Sequence, residues 1–167
     1  MVQGPRERVP FRRRRAGRTD YRRRLRLLRS GQARAVVRKS LTQTQIQIVA
    51  YDERGDRILA SALSSELADF GWTGGAGNVP AAYLTGLLAG RRAAGKGVTT
   101  AVLDVGVQRP ARGGRLFAAA KGLVDAGVAI PHGEDVFPSA DRLAGKHLGE
   151  GRAKAIADVR AKMEATP

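Results

Sequence analysis

The sequence predicts a single α/β domain with a mixed sheet, its elements in the order β-β-β-α-β-α-β-α, preceded by an extended basic arm and helix. Three observations predict it. Closely spaced segments of alternating apolar and polar residues follow residue 32, as in an antiparallel meander. From residue 78 the period lengthens to that of helices bounded by glycines. Between two of these helices lies VTTAVLDVG, a nearly continuous apolar run suited to a strand buried on both faces.

Residues 1–17 hold Pro5, Pro10 and Gly17 with no period and are expected to be extended or disordered when alone in water. A helix is predicted from Asp20 to Ser30, capped by Thr19 and ended by Gly31. At about 100° per residue, Tyr21, Leu25 and Leu28 share a stripe expected to lie on the body. Arg18, Arg22, Arg26 and Arg29 fill a neighbouring sector about 80° wide, expected to face outward.

Strands are predicted over 33–39 (ARAVVRK), 43–51 (QTQIQIVAY) and 57–63 (RILASAL), the last after a turn at DERGD where Gly55 supplies the flexible position. In the second, Ile46 and Ile48 face one way and Gln45 and Gln47 the other. NVPAAYLTGLLAGRRAAG reads as a helix with Asn78 as N-cap, Pro80 in the first turn, Gly95 past the end, and Leu84, Leu87 and Leu88 inward. Gly86 and Gly90 each cost ~1 kcal/mol relative to Ala, so another element is expected to pack closely there. GRLFAAAKGLVDAG is a helix with Leu116, Ala120, Leu123 and Val124 inward, and VAIP a short strand. SADRLAGKHLG and GRAKAIADVRAKM are helices, the last weakly amphipathic. The chain thus divides into an arm and helix (1–31), an α/β body (32–149) and a helical tail (150–167).

Charge points to function. The net charge is +15, but residues 1–40 carry 15 Lys and Arg against Glu7 and Asp20, while residues 41–167 carry 15 against 13. A near-neutral body with a cationic arm calls for an acidic partner. The absence of cysteine excludes disulfides and Cys-type zinc sites and fits a reducing compartment. His132 and His147 are too few for a His-rich metal site, and no cofactor is expected. No apolar run approaches the ~18 residues of a membrane span. No apolar h-region follows the basic N-terminus, which argues against a secretory signal. An Arg-rich organellar leader is the other class such an arm allows, disfavoured by its poverty in Ser and its continuity with folded structure.

Arginine dominates the arm, and a planar guanidinium holds phosphate through two hydrogen bonds at once. Arg12–Arg15, Arg22–Arg24 and Arg38-Lys39-Ser40 form three basic clusters without the mixed signs of a solvated face. An anionic membrane would want a clear apolar face, and only Phe11 is near. With no helix-turn-helix spacing, zinc finger or heptads, RNA is favoured over duplex DNA. Tyr21 is placed to stack on a base or, as its apolar stripe favours, to pack.

Other motifs weigh less. GRRAAGKG at 90–97 nearly matches the phosphate loop, but Gly97 replaces the metal-binding hydroxyl and the motif closes a helix instead of opening one; a helix end is expected. GWTGGAGN at 71–78 is either a mobile loop that meets a partner through its amides and Trp72, or a turn. Asp52 and Asp104, on strands expected to be neighbours, are the only pair suggesting a metal-dependent nuclease, with no supporting acids. A free-standing RNA chaperone is a third class.

The stretches GPRERVPFRRRRAGRTDYRRRLRLLRSG (4–31), VRKS (37–40), LASALSSELADFGW (59–72), GNVPAAYLTGLLAG (77–90), AVLDVG (101–106) and GLVDAGVAIPHGEDVFPSADRLAGKHLG (122–149) together resemble archaeal members of the universal L-eighteen family of large-subunit ribosomal proteins. Leu41 departs from the Asn more usual there, and the tail after Gly149 is short. The resemblance implies a ribonuclease H-like fold without catalysis. It implies a structural role: binding 5S rRNA, anchoring it in the central protuberance beside the universal L-five protein, and touching the large rRNA, in the cytoplasmic ribosome. The candidate RNA-binding residues are then Arg6, Arg8, Arg12, Arg13, Arg14, Arg15, Arg18, Arg22, Arg23, Arg24, Arg26 and Arg29 of the arm. Arg38, Lys39, Ser40 and Thr42 at a strand end, Trp72 and Asn78 of the Gly-rich loop, and His132, Lys146 and His147 complete the set.

Overall fold

The computed structural model describes residues 4, 8–133 and 135–165; of the candidate contacts, Arg6 lies outside them. Two short helices, α1 (Arg12–Arg15) and α2 (Tyr21–Leu28), precede the meander β1 (Ala33–Lys39), β2 (Thr44–Ala50) and β3 (Arg57–Leu63). A 3₁₀ helix (Ser64–Phe70), α3 (Val79–Ala94), β4 (Ala101–Asp104), α4 (Arg115–Asp125), α5 (Ala140–Leu143), a 3₁₀ turn (Lys146–Leu148) and α6 (Glu150–Ala165) follow. The sheet is open and mixed, in the order β3-β2-β1-β4. β1 runs antiparallel to β2, β2 antiparallel to β3, and β1 parallel to β4. The expected α/β class and mixed sheet are both present.

The period-two pattern sorts the sheet into two unlike faces. Ala35, Val37, Ile46, Ile48, Ala60 and Ala62 point to one side and are buried with α3 and α4 in the main core. The register places Val36, Gln47, Ser61 and Asp104 side by side on the other, flanked by Arg34 and Arg38. This second face is polar, and the arm lies against it.

Gly86 and Gly90 do mark a close approach, and Gly122 is the third member of the seam. A Cβ on Gly86 would run into the Ala119 carbonyl, one on Gly90 would come within 2.5 Å of Ala126 Cβ, and one on Gly122 would meet the Tyr83 carbonyl. Small residues let α3 and α4 approach backbone to backbone under the sheet.

Some expectations change here. Residues 12–15, expected to be extended or disordered alone in water, form the short helix α1. VAIP contributes only a parallel bridge, Thr100 to Ala129, because Pro131 has no N–H to continue the ladder. VTTAVLDVG is a strand only over Ala101–Asp104. SADRLAGKHLG is broken at Gly145, whose φ of 71° takes the chain out of the helix and whose missing Cβ leaves room for Ile156. The 3₁₀ helix Ser64–Phe70 was not expected; Ser64 Oγ accepts from Thr44 N at 2.9 Å and Glu66 Oε1 from Leu63 N at 2.7 Å, which tie it to the sheet. The weakly amphipathic α6 is nonetheless seated by Ile156, Val159 and Met163, one apolar stripe that joins the core. At the sheet's β3 edge, Arg92 Nη1 reaches from α3 to donate to the Ser61 carbonyl at 2.7 Å and to Glu66 at 2.6 Å.

Candidate nucleic-acid interface

Asp20, not Thr19, caps α2. Its Oδ1 accepts from Arg22 N at 3.0 Å and Arg23 N at 3.1 Å, and these bonds, that from Arg23 foremost, hold its carboxyl below the usual range. A carboxylate caps as well as a hydroxyl and also complements the helix dipole. Thr19 instead accepts from Arg13 Nε at 2.9 Å.

The seating of α2 departs from its apolar stripe. Leu25 is 54% exposed and Tyr21 is exposed as well, whereas Arg24, Leu27 and Leu28 are half-buried. The helix is turned by roughly a quarter of a revolution from the expected setting. Arginines hold it to the body: Arg23 Nη1 donates to the Gly106 carbonyl at 2.6 Å and Arg24 Nη2 to Asp56 at 2.7 Å. The polar sheet face beneath the arm offers acceptors, so guanidinium groups turn inward. Tyr21 does pack, though on Phe11 of the arm, with ring centroids 5.3 Å apart.

Under α2 the cations are interlocked. Arg34, only 3% exposed, spans two carboxylates, Asp56 at 2.6 Å and Asp104 at 3.0 Å. Arg38 donates to the Asp104 carbonyl at 2.7 Å and to its carboxylate at 3.3 Å. Gly106 N donates to Asp104 Oδ1 at 2.8 Å. Gly106 has φ 60°, and a Cβ there would sit 2.9 Å from the Arg38 guanidinium, so this corner requires glycine. A cleft of about 270 Å³ remains between arm and sheet, walled by Arg13, Arg18, Arg23, Arg24, Arg34 and Arg38 with the three acids.

Burial pushes the Asp56 carboxyl up, but hydrogen bonding and charge from Arg34, then Arg24, outweigh it and leave its pKa lowered. The anchor of α2 is therefore complete above the ordinary carboxylate value of ~3.9 and is lost as pH falls through the depressed folded value. In an acid titration of the free protein followed by NMR, the Arg24 and Leu27 amide resonances are expected to move with a midpoint below ~3.9. A midpoint at or above that value contradicts the anchor.

Three segments distant in sequence meet at the far end of β1. Lys39 and Gln108 exchange two hydrogen bonds, at 3.3 and 3.1 Å. Arg115 Nη1 donates to the Ser40 carbonyl at 2.9 Å, and Ser40 Oγ accepts from Gln43 N at 2.9 Å. Gly77 abuts the Leu41 carbonyl so closely that a Cβ would stand 2.5 Å from it. The 40–43 turn, the 105–115 loop and the Gly-rich loop thus form one surface. It exposes Ser40, Thr42, Arg109, Arg112 and Leu41, the last 92% accessible. Sequence reasoning passed over Arg109, Arg112 and Arg115; their only signal was a basic loop ahead of a helix.

Other candidates stand apart from the exposed arginines. Trp72 is 5% exposed and belongs to the core, its ring covered by Gly74, so its indole is no surface group. Asn78 spends its side-chain oxygen as the N-cap of α3, accepting from Ala81 N at 2.8 Å. His132 is exposed, with Nδ1 2.7 Å from the Ile130 carbonyl and its ring against Phe137. Lys146 pairs with Asp141 at 2.5 Å, and His147 is exposed. Arg8, Arg12–Arg15, Arg18, Arg22, Arg23, Arg26 and Arg29 are exposed.

The acid pair of the nuclease reading does not assemble. β1 lies between the strands that lead to Asp52 and Asp104, Asp104 is committed to Arg34 and Arg38, and Asp52 Oδ1 accepts from Arg54 N at 2.9 Å. GRRAAGKG closes α3, as expected, with Gly95 at its C-cap.

Comparison with known proteins identifies the family. The family model for ribosomal large subunit proteins 60S L5 and 50S L18 matches residues 5–99 and 92–133. The chain is 53% identical over 150 residues to the large ribosomal subunit protein uL18 of Methanococcoides burtonii, spanning 90% of this chain and 87% of that protein. It is 51% identical over 150 residues to uL18 of Natronomonas pharaonis, spanning 90% and 82% respectively. With a sheet whose polar face carries an arginine arm, and relatives of this identity along nearly its whole length, the chain belongs to the uL18 family of large-subunit ribosomal proteins, in its archaeal form.

Proposed function

We propose that this protein binds 5S rRNA and anchors it in the central protuberance of the large ribosomal subunit, with further contacts to the large rRNA and to the universal L-five protein. Family membership makes it a structural constituent of the cytoplasmic ribosome and not an enzyme. One observation carries the RNA reading. Arg12–Arg15, Arg18, Arg22, Arg26 and Arg29 are exposed, and none forms an ion pair with a carboxylate among the described residues. Such crowding of uncompensated guanidinium groups is relieved by a polyanion. The convergent surface at Ser40, Thr42 and Arg112 supplies a second contact, to which the Gly-rich loop adds backbone. In this reading residues 1–31 are the RNA-binding unit, 32–149 the body and 150–167 a tail. The strand order β3-β2-β1-β4 supports a ribonuclease H-like topology without catalysis.

Filter binding of the full chain to transcribed archaeal 5S rRNA, against an unrelated RNA of equal length, tests this. The expected result is preference for 5S rRNA and a log–log salt slope of about −6 to −7, as for eight neutralised phosphates. Equal affinity for both RNAs would support the chaperone reading instead.

A further inference from the structure

The arm's arginines fall into two classes that composition cannot separate. Arg22, Arg26 and Arg29 lie on one outward face of α2 and are exposed. Arg23 and Arg24, between them in sequence, turn inward to the Gly106 carbonyl and the Asp56 carboxylate. Asp56 is shared: the same Oδ2 receives Arg24 at 2.7 Å and the buried Arg34 at 2.6 Å. Arg34 is in turn held by Asp104 at 3.0 Å, so Asp56, although it precedes β3 in a turn, is tied to the sheet. An apolar face alone would have seated α2 on Tyr21, Leu25 and Leu28, and Leu25 is instead open to solvent.

We propose that Asp56, backed by Arg34 and Asp104, is a positioning residue that sets the rotation of α2 and so selects which arginines meet RNA. Arg22, Arg26 and Arg29 are presented to phosphate, while Arg24 is spent on the protein and Arg23, though exposed, is tied through Nη1 to the Gly106 carbonyl. The carboxylate occupies the place a phosphate would take at Arg24. The helix therefore reaches RNA already oriented, and less of the binding free energy is lost to ordering it. The assignment rests on the RNA-binding reading above for its consequence, but the rotation of the helix is a property of the free protein.

Both levels are tested with full-length Arg24→Ala, Asp56→Asn and Arg22→Ala. In the free protein, amide hydrogen exchange across residues 21–28 is expected to accelerate about tenfold or more in Arg24→Ala and Asp56→Asn and to stay at the wild-type rate in Arg22→Ala. With archaeal 5S rRNA, Arg22→Ala is expected to make the salt slope shallower by about 0.7–0.9, the loss of one phosphate contact. Arg24→Ala is expected to keep the wild-type slope while binding several-fold more weakly. The proposal is overturned if Arg24→Ala flattens the slope as much as Arg22→Ala does, or if exchange across α2 is unchanged in both anchor variants. A wild-type chain that shows no preference for 5S rRNA defeats the functional reading instead, and the exchange rates then still decide the anchor.

Discussion

A chain starting at residue 18 is expected to bind 5S rRNA with a salt slope shallower by about 3–3.5 than that of the intact protein. Of the eight arginines counted above, Arg12–Arg15 leave with the deleted segment, and each lost phosphate contact removes about 0.7–0.9 from the slope. Between 50 and 200 mM salt the intact chain should therefore lose about 50–150-fold more affinity than the truncated one. Stability should barely change, because α1 buries nothing and the cap of α2, Asp20, is retained. Filter binding across a salt series, paired with urea unfolding, reads both quantities. An unchanged slope would remove the segment from the interface.

Gly122→Ala is expected to be the most damaging single-methyl substitution in the protein. On an open helix the change would be favourable by up to ~1 kcal/mol. Here the new methyl would run into the Tyr83 carbonyl and stand 2.7 Å from Leu87 N, both backbone atoms that cannot swing aside. The helices α3 and α4 would have to separate, at a cost of about 3 kcal/mol or more. Gly151→Ala in the first turn of α6 is the matching control, since nothing lies within 4 Å of its added methyl and a small propensity gain, below the ~1 kcal/mol of a helix interior, is expected. Urea midpoints should move in opposite directions. A wild-type midpoint for Gly122→Ala would mean that the seam is looser than the backbone contacts imply.

What was legible in the sequence was whatever a short window contains. Alternation placed Ile46 and Ile48 inward, Asn78 and Pro80 marked the start of α3, and Gly86 with Gly90 announced a tight neighbour. The charge step at residue 40 located the arm. What was not legible depended on partners far along the chain. The rotation of α2 is set by Asp56 and Gly106, which its helical wheel does not include. Arg34, in none of the three basic clusters, reads like any basic residue of an alternating strand until the sheet brings Asp56 and Asp104 to it. Trp72, in a loop full of glycine, looks available, and only the tertiary fold folds its indole into the core. The pairing of VAIP ended after one bridge because Pro131, a local signal, outweighed the apolar run ahead of it.

The Arg92 side chain across the rim of β3 bears on the protein's life before assembly. A sheet border with free amides and carbonyls invites another copy to stack onto it, the first step toward fibrous aggregates. Arg92 blocks the Ser61 carbonyl on that border and, held there by Glu66, sets a hydrated ion pair in the path that an added strand would have to displace. A newly made molecule waiting for its nucleic acid is in this way discouraged from joining its siblings.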